Sequence, residues 1–142
     1  MKIYRTKDSD HSIPLPVYKT RGSVGADLYY NDPTLPQKVL DPMRPRLFPT
    51  GIILRIPEGY EGQIRSRSSL ARQGIIVANS PGTIDQDYEF EVGVILNNLN
   101  EDFEVINHGD RIAQLVISPV VQMGFEVLDE LRQGGFGSTG KK

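Results

Sequence analysis

The chain contains no cysteine and no tryptophan, and only two histidines. Without cysteine there is neither a disulfide framework nor a thiolate metal centre. His11 and His108 alone argue against a zinc site built on imidazoles. Charge of one sign is also missing, because 16 basic and 18 acidic residues are interspersed, for a formal net charge of -2. No basic stripe offers itself to a nucleic-acid backbone, so no nucleic-acid polymer is expected as a partner. A free nucleotide, which needs only a few well-placed donors, stays open. No apolar run approaches the length of a membrane span, and the opening M-K-I-Y-R-T-K-D-S-D lacks the apolar stretch of a signal peptide. The expectations are no membrane association and a cytoplasmic location.

What is present is punctuation. With 14 glycines and 10 prolines, the 142 residues are cut into short pieces. The length suits a single domain with its own core. Runs of branched residues at 51–56, 62–66, 74–78, 89–96, 103–106 and 111–121 have strand lengths and are separated by turn signals. That pattern predicts an all-β fold, a sandwich, barrel or jelly roll. One short helix is predicted over residues 68–73, with Ser68 or Ser69 as N-cap and Gly74 closing it. From Gly134 the chain reads G-G-F-G-S-T-G-K-K, too poor in apolar surface to offset its ordering entropy. The expectation is therefore a β domain over residues 1–133 and a mobile arm over 134–142. The arm nearly spells a P-loop, but Lys142 stands where Ser or Thr would hold magnesium and no helix follows, so a Walker-type NTPase is excluded.

Four further segments carry candidate chemistry. G-T-I-D-Q-D-Y, residues 82–88, follows the turn N-S-P-G; Asp85 there is either a base for a water held in a cleft or a turn aspartate capping its own backbone. R-S-R-S-S-L, residues 65–70, sets guanidinium and hydroxyls at the start of a helical turn. It reads either as an anion site or as an ordinary capped surface turn. G-A-D-L, residues 25–28, places one acid, Asp27, after a small-residue turn. G-D-R-I-A-Q-L, residues 109–115, sets Gln114 within an apolar run, facing solvent by alternation or pointing into a site.

Taken in order, these segments and the G-G-F-G-S-T-G arm resemble the five motifs of the homotrimeric dUTPases, and the match covers nearly the whole chain. The resemblance implies a jelly-roll subunit in a homotrimer, with sites at subunit boundaries and the arm closing a neighbour's site. The reaction implied is hydrolysis of dUTP to dUMP and pyrophosphate, which limits uracil incorporation into DNA and supplies dUMP for dTMP synthesis. Carried over residue by residue, Asp85 resembles the general base and Asp27 the carboxylate that orients Mg2+ through water. Arg67, Ser68 and Ser69 resemble the phosphate-binding turn, with Gln114 on the α-phosphate side. Asn79, Gly82, Thr83, Ile84 and Gly93 would form the uracil pocket, and Tyr88 would lie against the deoxyribose. Phe136, Gly137, Ser138 and Thr139 would supply ring stacking and γ-phosphate contacts, with Arg132 nearby. The sequence departs from the family pattern twice. Glu89 and Phe90 follow Tyr88, where a basic or polar residue and then glycine are usual; Phe90 should change packing beside the hairpin. Arg132 stands one residue closer to the aromatic than usual. The fold-sharing dCTP deaminases, which need a proton shuttle at the base, and non-catalytic jelly-roll binding modules are the alternatives.

Overall fold

The computed structural model describes residues 1–127. It comprises ten strands and one helical turn: β1 (Lys2–Arg5), β2 (Ala26–Tyr29), β3 (Gln37–Leu40), β4 (Arg46–Arg55), β5 (Tyr60–Arg65), α1 (Ser68–Ala71), β6 (Ile75–Val77), β7 (Gly82–Ile84), β8 (Glu91–Asn98), β9 (Glu104–Asn107) and β10 (Arg111–Pro119). Two four-stranded antiparallel sheets, ordered β1-β4-β8-β6 and β2-β10-β5-β7, enclose the core, and β3 pairs with β9 beside them. The architecture is the expected all-β, jelly-roll-like domain with a single short helix among the described residues. The boundary expected at residue 134 and the arm beyond it, with Arg132, Phe136, Gly137, Ser138 and Thr139, lie outside those residues.

Alternation builds this core. Along β8 every second residue, Val92, Val94, Leu96 and Asn98, is buried, as a strand with one face on a core requires. These side chains meet Phe48, Ile52 and Leu54 of β4 and, from the other sheet, Leu28, Ile64, Ile112 and Leu115. The one polar member of the β8 set is satisfied: Asn98 Nδ2 donates to Leu40 O at 3.1 Å and Asp102 O at 2.7 Å. Between Pro49 and Ile53 the β4–β8 register shifts. Gly51 takes φ +70 there, and a Cβ on it would stand 2.5 Å from Ser9 Cβ.

Three expectations are corrected. The short strands β1, β2, β3 and β7 add to the predicted set. The 89–96 strand starts at Glu91 and continues to Asn98, leaving Glu89 and Phe90 outside it. The N-cap of α1 is Arg67, in extended conformation and with no side-chain cap; Ser68 and Ser69 are exposed residues inside the turn. Gly74, at φ +79, does follow the helix in the left-handed conformation expected of it.

The N-terminal loop is fastened to the body by polar groups rather than by burial. Asp32 N donates to His108 Nδ1 at 3.1 Å, so the ring proton sits on Nε2 and points at Asp10 Oδ2, 3.1 Å away. Hydrogen bonds from Ser12, then the His108 contact, lower the Asp10 pKa to about 2. A carboxyl with a depressed folded-state pKa stabilises fully above its unfolded value near 3.8 and ceases to do so as pH falls through about 2. Thermal melts between pH 4 and 2 should therefore fall less steeply in Asp10→Asn than in the parent chain. Parallel curves would show that Asp10 contributes nothing to acid sensitivity.

Candidate active site

The sheet β2-β10-β5-β7 carries the polar residues. Gln114 of β10 pairs in register with Asp27 of β2 and with Arg65 of β5, so Asp27 and Gln114 project from the same face. Both neighbours of Gln114, Ala113 and Leu115, are buried, which turns Gln114 away from the core. Its Nε2 donates to Ser66 O at 3.0 Å, and its amide lies so close over Gly25 that a Cβ there would collide with it. A larger residue at position 25 would thus make the Gln114 amide shift.

Asp27 is not a solvated loop acid. It lies within β2 with its side chain 16% exposed, its Oδ1 accepting from Arg67 Nε at 3.0 Å and its Oδ2 from Arg111 Nη1 at 3.2 Å. Arg67 Nη1 also donates to Arg111 O at 2.9 Å. The turn at residues 65–70 is accordingly held to the sheet by its arginine, and that arginine is not the solvated side chain of an ordinary surface turn. The two guanidiniums beside one carboxylate keep donors that could take an anion, although the Asp110 carboxylate faces the same cavity. Arg67, Ser69, Leu70, Gln73 and Arg111 line a cavity of about 290 Å³ at this point. Arg111 was missed in the sequence although it stands in a quoted segment; its position three residues before Gln114 was the available signal.

At the opposite edge of the sheet, β7 ends at Ile84 and Asp85 follows it. The chain turns there, with Tyr88 N donating to Asp85 O at 3.1 Å. That turn is closed by backbone, and among the described residues the Asp85 carboxylate accepts no hydrogen bond, so it is not capping its own turn. Asp85 lines an open cleft of about 420 Å³ with Tyr60, Glu61, Gln86, Asp87 and Gln122. Just before it, Asn79, Gly82, Thr83, Ile84, Tyr88 and Gly93 meet around a smaller cavity of about 130 Å³, completed by Ile64 and Val92. All six residues expected in the base-and-sugar pocket are brought together. Ile64 and Val92 carry no signal in the sequence beyond being core-facing strand residues.

Among the described residues the two halves are not joined within one chain. Asp27 and Thr83 sit on the outer strands of the sheet, roughly 14 Å apart at about 4.8 Å per strand, and no residue lines both cavities. Ser68, exposed at the start of α1, lines neither.

Fold and site define a jelly-roll-like β protein with a ring-sized cavity on the strand that leads to a carboxylate without a partner among the described residues, and with an arginine-lined cavity across the sheet. A family model described as dUTPase matches residues 11–141, and the chain belongs to the dUTPase family and is a dUTP diphosphatase. The chain is 51% identical to a deoxyuridine 5'-triphosphate nucleotidohydrolase of Roseobacter denitrificans, across 99% of this chain and 95% of that one. A deoxyuridine 5'-triphosphate nucleotidohydrolase of Wolbachia pipientis is 48% identical across 92% and 89%. Among solved structures, the dUTPase from phage phi11 of S. aureus superposes with a TM-score of 0.78 at 21% identity, covering 94% of this chain and 98% of that one, a likeness of fold.

Proposed function

We propose that the chain cleaves dUTP at the α-phosphorus, with Asp85 as general base, giving dUMP and pyrophosphate and so limiting uracil incorporation into DNA and supplying dUMP for dTMP synthesis. The observation that carries this reading is the cavity of about 130 Å³ lined by Asn79, Tyr88 and Ile84, the residue just before Asp85. Its volume equals that of roughly four waters, room for one pyrimidine ring. Asn79 and the backbone near Gly93 read the base edge, where a thymine methyl would clash and a cytosine amino group would mispair. Tyr88 lies against the sugar and disfavours a 2′-hydroxyl.

In the reaction Asp85 takes a proton from water, the water oxygen bonds to the α-phosphorus, and the bond from that phosphorus to the oxygen bridging toward the β-phosphate breaks. Ser68 donates to that bridging oxygen as charge gathers on it. Arg67, Ser69 and Gln114 hold phosphate oxygens, and Phe136, Gly137, Ser138, Thr139 and Arg132 of the arm cover the ring and the γ-phosphate.

The donor set fits magnesium in one way only. Among the described residues no three histidine, aspartate or glutamate side chains cluster as metal ligands, so a protein-only cage does not fit. A carboxylate oriented by two arginines fits an ion that keeps its waters and takes its other ligands from phosphates. Asp27 would hold Mg2+ through water, and the bound ion would neutralise phosphate charge.

A homotrimer is the assembly this reading expects, and the separation of the two halves of the site supports completion by a neighbouring subunit. The exposed apolar residues Val121, Met123, Phe125 and Val127 offer surface for that neighbour to cover.

The test is pyrophosphate release with magnesium from dUTP, dTTP, dCTP and UTP, on protein whose mass is read by light scattering. The expected result is strong selectivity for dUTP, dUMP as product and the mass of three chains. Deamination of dCTP, or no release from any nucleotide, would replace this reading by the deaminase or the binding module. A fully active monomer would remove the trimer.

A further inference from the structure

We propose that Phe90 is a positioning residue for Tyr88, setting how firmly that ring covers the sugar and hence how strongly deoxyribonucleotide is preferred over ribonucleotide. The inference rests on the reading of the Asn79–Gly93 cavity as the nucleoside site.

Phe90 is 72% exposed, so it is not there to fill the core of its own chain. Its ring meets that of Tyr88 edge-on, with centroids 5.8 Å apart and planes at 67°, a favourable aromatic geometry. The backbone carrying it is held on both sides to one strand, β4. Glu89 Oε1 lies 3.1 Å from Arg55 Nη1, and Glu91 Oε1 accepts from Gly51 N at 2.7 Å. Gly51 is the left-handed residue of the β4 register shift, so this second tie is to the backbone of the sheet itself.

Tyr88 itself lines the cavity, and its hydroxyl is committed to Glu91 O at 3.0 Å. It therefore presents a ring rather than a donor to whatever enters. With the hydroxyl tied at one end and the backbone turned on Asp85 at the other, swinging of the ring is the freedom left, and Phe90 stands beside it. A phenyl ring on a pinned backbone, touching the residue that faces the sugar, is a brace for that residue. The energy of one aromatic pair corresponds to a roughly two- to ten-fold change in an equilibrium, the scale on which a specificity adjustment operates.

The experiment compares kcat and KM for dUTP and UTP in the parent chain, F90G, F90L and F90Y, with melting temperature and light-scattering mass for each. F90G is expected to raise KM for dUTP with kcat little changed, and to lower the dUTP-over-UTP ratio of kcat/KM by about two- to ten-fold. F90Y should restore the ratio and F90L should not. An unchanged ratio in F90G overturns the proposal, as does restoration by F90L equal to that by F90Y, which would mean bulk and not an aromatic pair. A changed mass in F90G also overturns it, making Phe90 a contact between copies. If the parent chain itself shows no preference for dUTP over UTP, the nucleoside-site reading has failed; if it shows one that F90G shares, only the role of Phe90 has.

Discussion

Asp85→Asn is expected to slow dUTP turnover by about 10²–10⁴-fold, the usual contribution of a positioned base, while leaving dUTP binding nearly unchanged. Asparagine keeps the size and polarity of the side chain but cannot accept the proton of an attacking water. The turn that presents the residue is closed by Tyr88 N on the Asp85 backbone oxygen, a bond the substitution does not touch. The side chain has no hydrogen-bond partner among the described residues, so folding loses no contact with it, and surface changes of this kind stay within about 0.5 kcal/mol. The measurement is kcat beside the equilibrium affinity for a non-hydrolysable dUTP analogue. Turnover within a few-fold of the parent would remove Asp85 as the base. Turnover and affinity lost together would mean that Asp85 holds the nucleotide instead of activating water.

The segments that named this site were legible because they are local. Residues 82–88 form one short strand and one turn, so four of the six cavity residues, Gly82, Thr83, Ile84 and Tyr88, follow from a stretch whose spacing is visible in the chain. The apolar alternation of β8 was legible for the same reason. What escaped the sequence depends on distance along it. Arg111 meets Asp27 across 84 positions, and no local pattern distinguishes it from a solvated arginine. Asp27 itself, after Gly25 and Ala26, looked like a turn acid; its strand is set by pairing with β10 and not by its own four residues. Strands β1 and β3, four residues each and rich in lysine, arginine and glutamine, are likewise strands because β4 and β9 pair with them, and their propensities are weak. The expected serine cap failed for a related reason. Arg67, drawn to Asp27, takes the extended N-cap position, and the serines shift into the turn, where their hydroxyls are left exposed for other use.

Phe90 illustrates the opposite case. The departure from the family pattern was visible at once, but its consequence was not. The bulky ring could have gone inward and displaced the packing beside the hairpin. Instead the glutamates on either side fix the backbone to β4, and the ring stays outside against Tyr88.

Asp27→Asn should raise the half-saturating magnesium concentration for dUTP hydrolysis by about 10- to 100-fold, the range expected when a group that orients a metal's ligands is removed. The side chain is 16% exposed and stands between Arg67 Nε at 3.0 Å and Arg111 Nη1 at 3.2 Å. Asparagine retains one oxygen for one arginine and sets an amide against the other, so the substitution also leaves two guanidiniums without their shared anion. Some loss of stability is therefore expected alongside the metal effect, on the order of 1–3 kcal/mol for a hydrogen bond to a charged group. The two effects separate by titration. If Asp27 acts on the ion, excess magnesium should recover much of the lost rate in Asp27→Asn while the melting temperature stays low. Arg111→Gln, which removes one arginine and leaves the carboxylate, should shift the magnesium curve far less. A normal magnesium dependence in Asp27→Asn with a lowered melting temperature would make Asp27 a clamp for the 65–70 turn alone. Orientation of the ion would then fall to the phosphates themselves, and the anion site would rest on the donors of the two arginines.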